Sequence, residues 1–107
     1  DGLKRHQPGI HAVLERIEAA WHPVGVWLFG SRARGEAVKT SDWDLLIVTA
    51  DDAADVDDPL NAYRLRKEAG VRADVLMCRA TDFQEDRNTP NTIAYEAAHG
   101  GVLLYER

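Results

Sequence analysis

The chain has 107 residues, a net charge of −5, and 45% hydrophobic against 29% charged residues. That length suits one domain with a single core, read as residues 1–107, and the acidic balance weighs against nucleic acid as a partner, because a grip on a phosphate backbone needs Lys and Arg to displace counterions. The one short basic stretch, Arg64-Leu65-Arg66-Lys67, does not change this.

In chain order, Ile10, Val13, Leu14, Ile17 and Trp21 follow helical spacing and predict an amphipathic first helix that covers one face of a sheet. Val24 to Phe29 (VGVWLF) is a short apolar run rich in β-formers, read as a strand that stops at Gly30-Ser31. The polar segment SRARGEA that follows reads as the start of a helix. Asp42 to Val48 is predicted as a second strand and Arg72 to Cys78 as a third. Between them, residues 58 to 69 carry a weaker helical pattern ended by Gly70. Pro90 and Thr92 mark the start of another helix that Gly100-Gly101 ends, and Val102 to Tyr105 is either a closing strand or an apolar contact. Helices alternating with strands predict an α/β (α+β) domain, a mixed β-sheet with packed helices.

The chemistry concentrates around Gly30. A glycine lets backbone approach a ligand with no Cβ in the way, and N–H groups at a helix start are unsatisfied donors, so Gly30-Ser31 suits phosphate. On a strand, side chains alternate faces, so Asp42 and Asp44 point the same way and Trp43 points away. Two like charges on one face repel unless a cation lies between them, and Mg²⁺, which takes carboxylates and substrate phosphates, fits. Asp74 is the only acid within an otherwise apolar strand pattern and completes a candidate set of three. Three carboxylates beside a phosphate-binding turn suit two metals about 3.5–4 Å apart.

These residues, Gly30-Ser31, ten further residues and then Asp42-x-Asp44, carry a resemblance to the minimal nucleotidyltransferase (MNT) domains of the DNA polymerase β superfamily. Arg32 to Gly35, Ser41, Leu45 and the tail from Thr92 to Tyr105 are also similar to the small members, so the resemblance spans roughly residues 10 to 107. It implies a polymerase β-like nucleotidyltransferase fold, with Gly30 and Ser31 holding the triphosphate and Asp42, Asp44 and Asp74 as catalytic metal ligands. Arg32 is a candidate for a further phosphate contact, since guanidinium matches phosphate oxygens. The expected cofactors are two Mg²⁺ ions, with ATP as substrate. Stand-alone domains of this size look like the MntA-type antitoxins of HEPN/MNT toxin–antitoxin systems, which attach AMP to a tyrosine of a HEPN ribonuclease toxin. Two alternatives are an antibiotic-type transferase acting on a small-molecule hydroxyl and a non-catalytic antitoxin that neutralises its partner by binding.

Other features have plainer readings. Cys78, a lone cysteine within a predicted strand, together with the lack of a signal peptide or an apolar run near about 18 residues, gives the expectation of a cytoplasmic protein without a membrane partner. The acidic run Asp51, Asp52, Asp55, Asp57 and Asp58 reads as a solvated loop. His6, His11, His22 and His99 lack ligand spacing, and His99 answers a helix C-terminus. Trp27, Phe29 and Trp43 read as core or as the wall of an adenine pocket.

Overall fold

The structure, a computed structural model, describes residues 11–30, 33, 35, 43–53, 60, 63, 64, 67 and 73–106. Its elements in chain order are α1 (His11–Trp21), β1 (Gly25–Phe29), β2 (Trp43–Thr49), β3 (Ala73–Arg79), α2 (Ala80–Asp86), α3 (Ile93–Gly100) and β4 (Val102–Glu106). The strands form one mixed sheet in the order β3-β2-β1-β4. β1 runs antiparallel to both β2 and β4, whereas β2 and β3 are parallel. The expected mixed sheet with packed helices is present. The terminal segment is a strand, not merely an apolar contact. Within the predicted helix over 58–69, the described residues Leu60, Tyr63, Arg64 and Lys67 are helical. The remainder of that stretch, and the helix start predicted after Gly30, lie outside the described residues apart from Ala33 and Gly35, which are in turn conformation.

Period-two alternation divides the sheet between two cores. On one face, Val13, Leu14 and Ile17 of α1 pack against Val26, Leu28, Trp43, Leu45, Ile47, Val75 and Leu104. On the other, Phe29, Leu46 and Val48 pack against Phe83 of α2 and Ala94 and Ala97 of α3. Trp43 is therefore core, and Trp27 stacks on Phe83 with ring centroids 5.7 Å apart. Because β2 alternates, Asp44 shares the face of Leu46 and Val48, and the residues that β2 turns toward α1, Trp43, Leu45, Ile47 and Thr49, carry no charge. On β4 the register against β1 shifts between Val26 and Trp27, which leaves Leu104 as the bulged residue, turned into the α1-facing core.

Helix α2 is not marked by the sequence pattern. Its seven residues hold one buried apolar side chain, Phe83, and its N-cap, Arg79, makes no side-chain cap bond. The cap comes from elsewhere in the chain. The Thr81 N–H donates to Asp51 Oδ1 at 2.9 Å, the Thr81 hydroxyl donates to Asp51 Oδ2, and Arg79 Nε donates to the Asp51 carbonyl at 3.2 Å. Asp51, expected to belong to a solvated loop, thus ties the end of β2 to the start of α2 while remaining exposed. The Thr81 hydroxyl, then the Thr81 N–H, holds the Asp51 carboxyl below its ordinary value, opposed by desolvation and aided last by the charge of Arg79. A depressed folded-state value means the contribution to stability is present above the unfolded carboxyl value and is lost as pH falls through the folded one. Asp51→Asn should therefore lower stability at neutral pH, and urea midpoints of the two proteins should converge as pH falls below the ordinary aspartate range.

Helix α3 starts and stops as its sequence predicts. Thr92 is the N-cap, its hydroxyl accepting from the Tyr95 N–H at 3.1 Å. His99, in the last turn, stacks on Tyr95 and donates from Nε2 to the Arg87 carbonyl at 3.0 Å, fastening the α2–α3 connection. Gly101 follows because the chain must pass between two backbone carbonyls: a Cβ there would sit 2.5 Å from the oxygen of Ala97 and 2.6 Å from that of Leu28. Neither obstacle is a flexible side chain. Gly101→Ala should destabilise the fold by roughly 1–3 kcal/mol, measured as the shift in urea midpoint at constant slope.

Candidate active site

Three elements end together at one margin of the sheet. Gly30 follows the last residue of β1, and Asp44 and Asp74 are each the second residue of their strand. The register places Phe29 opposite Asp44 and Asp44 opposite Asp74. Phe29, Asp44 and Asp74 therefore form a row across β1, β2 and β3, with Gly30 one residue beyond Phe29 at its β1 end and neighbouring strands about 4.8 Å apart. The two carboxylates project from the same face, since facing residues of parallel strands share the pleat.

Gly30 has a backbone conformation that favours glycine, with φ of 76°. The space beside it belongs to Asp44: a Cβ on Gly30 would collide with Oδ2 of Asp44 and lie 3.1 Å from its carboxyl carbon. The turn thus rests directly on the first described carboxylate. Asp44 is half-buried and Asp74 is exposed.

The donor set consists of carboxylate oxygens converging beside a backbone turn. Hard divalent cations with oxygen preference fit such donors, and the like charges of Asp44 and Asp74 favour an ion beside them. Among the described residues, no group of three or more His, Cys, Asp or Glu side chains is arranged to hold a metal. Asp42, the third predicted ligand, lies outside the described residues, as do Ser31 and Arg32. Of the predicted site residues, the fold brings together Gly30, Asp44 and Asp74.

The sequence matches the Polymerase beta, Nucleotidyltransferase family over residues 12–107. The chain belongs to that family. No curated protein matches the sequence significantly. Among the solved structures similar to this chain, two share the fold over most of its length. One, from Sulfolobus solfataricus and assigned as a nucleotidyltransferase, is 21% identical with a TM-score of 0.56, the match covering 96% of this chain and 82% of that one. The other, a toxin–antitoxin structure with AMP-PNP, is 18% identical with a TM-score of 0.60, covering 89% of this chain and 72% of that one. Among the described residues, no helix of this nucleotidyltransferase domain is long and apolar enough to cross a membrane.

One feature beside the acids escaped the sequence reading. Leu46 and Leu76 follow Asp44 and Asp74 by two residues, face each other in register, and line a cavity of about 260 Å³ under α2 and α3. The signal available in the sequence was the Asp-x-Leu spacing on both strands. Without the parallel pairing of β2 and β3, that spacing had no meaning.

Proposed function

We propose that this chain is a Mg²⁺-dependent transferase of AMP from ATP to a hydroxyl, that the acceptor is a tyrosine of a HEPN-type ribonuclease toxin, and that the chain acts as its antitoxin. The observation that carries the catalytic part is the Gly30 turn seated against Asp44 with Asp74 alongside in register. The toxin–antitoxin structure with AMP-PNP supports the partner and the nucleotide.

In this reading Gly30 and Ser31 receive the β- and γ-phosphates through backbone N–H groups, and Arg32 adds a guanidinium contact. Asp42, Asp44 and Asp74 would hold two Mg²⁺ ions, which when bound neutralise charge on the triphosphate and on the departing pyrophosphate. The acceptor oxygen bonds to the α-phosphorus, the bond from that phosphorus to the bridging oxygen breaks, and pyrophosphate leaves. Asp74, exposed at the side of the row away from Gly30, takes the hydroxyl proton. Positioning and charge complementarity supply most of the acceleration, as in other phosphoryl transfers.

Intact mass spectrometry of the chain with ATP, Mg²⁺ and a HEPN-type protein offered as partner tests this reading. One or more AMP additions on the partner, absent with Asp44→Asn, are expected. A stable, neutralised complex without added mass would point instead to masking by contact, and AMP transfer with pyrophosphate release on small alcohols alone to an antibiotic-type transferase.

A further inference from the structure

The Gly30 turn, Asp44 and Asp74 follow one another from β1 to β3: the turn proposed for the triphosphate lies at the end of β1, so the acceptor approaches from the β3 side. On that side, and about 6.6 Å inward at the rise of a strand, the cavity begins at Leu46 and Leu76. Its apolar lining continues with Phe83 and Ile93. Leu76 and Ile93 are 45% and 39% exposed, two of the four large hydrophobics left in solvent among the described residues. A contiguous exposed apolar surface beside a reactive centre marks a place where something docks.

The rim is acidic. Asp82 and Asp86 line the same cavity and lie four residues apart on α2, where like charges repel. Their field reaches the floor: burial first, then Asp82 and Asp86, pushes the Cys78 thiol up to about 11. Asp82 and Asp86 are both exposed, so an apolar hollow is framed by two solvent-facing carboxylates.

We propose that this cavity is the acceptor subsite and seats an apolar side chain of an acceptor protein segment whose flanking Lys or Arg meets Asp82 and Asp86. The proposal rests on the nucleotidyl-transfer reading for the reaction but on the cavity alone for the docking. A nucleotide is the poorer occupant, because its phosphates would approach two further carboxylates.

Two short fluorescein-labelled peptides test it, each with a central Tyr beside a Leu, one flanked by Lys and the other by Glu. Anisotropy titration of the full chain should show the Lys-flanked peptide binding about tenfold more tightly than the Glu-flanked one, the advantage shrinking as salt rises. Asp82→Asn with Asp86→Asn, both exposed substitutions, should erase that preference, and Leu76→Ser should weaken both peptides. Where AMP is transferred, the double variant should raise KM for the Lys-flanked peptide and leave KM for ATP unchanged. Failure to bind either peptide, equal binding of both, or a preference that survives the double variant overturns the proposal. Selective binding without transfer would leave the docking intact and remove the catalytic reading, whereas transfer without selectivity would do the reverse.

Discussion

Asp44→Asn should reduce nucleotidyl transfer by about a thousandfold or more while the domain remains folded. Asn keeps the volume and one oxygen of the side chain, so its packing against Gly30 survives, but the charge that complements a divalent ion is gone. Charge stabilisation of this kind is worth several kcal/mol, and about 4 kcal/mol corresponds to a factor of roughly a thousand in rate. Single-turnover formation of the AMP adduct under saturating ATP and Mg²⁺ measures the loss, and a circular dichroism melt close to that of the parent separates it from unfolding. Transfer within tenfold of the parent would show that Asp44 is a structural acid at the strand end and not a participant in the reaction.

Gly30→Ala should damage stability and activity together. An alanine at φ of 76° enters the left-handed region, at a cost of roughly 1–3 kcal/mol. Its methyl would also occupy the place where the Asp44 carboxyl lies, so Asp44 must turn or β1 and β2 must separate at that end. For a domain of this size each kcal/mol lowers Tm by about 4–8 °C. The variant should therefore melt clearly below the parent and lose transfer even at temperatures where it is fully folded, because the acid has been displaced from the row. A variant that melts early but transfers at the parental rate when folded would separate the strain from the chemistry and place Asp44 outside the reaction.

Much of the architecture follows from short-range chemistry. The helical spacing of Val13, Leu14 and Ile17 specifies an apolar stripe, and all three are buried against the sheet. Thr92 and Gly101 bound α3 because a hydroxyl can satisfy the first turn's N–H and because only glycine fits between the carbonyls of Ala97 and Leu28. The alternation of β2 forces Trp43 and Asp44 to opposite faces whatever the partner strands, which is why one is core and the other lies in the site row.

Helix α2 follows a different logic, since its seven residues depend on an aspartate 30 positions earlier for their first-turn hydrogen bonds. No local pattern announces a cap that arrives through the tertiary fold. The companionship of Asp44 and Asp74 is of the same kind: both acids stand out in the sequence, but only the parallel pairing of β2 with β3 sets them opposite each other.

The ingredients of the candidate site, carboxylates and a glycine turn, were thus written in residue type and spacing, because alternation and backbone sterics act over a few residues. Strand order, the α2 cap and the acid-rimmed cavity beyond Leu76 were decided by pairing between distant segments, whose closure depends on the whole core and leaves no periodic trace in the chain.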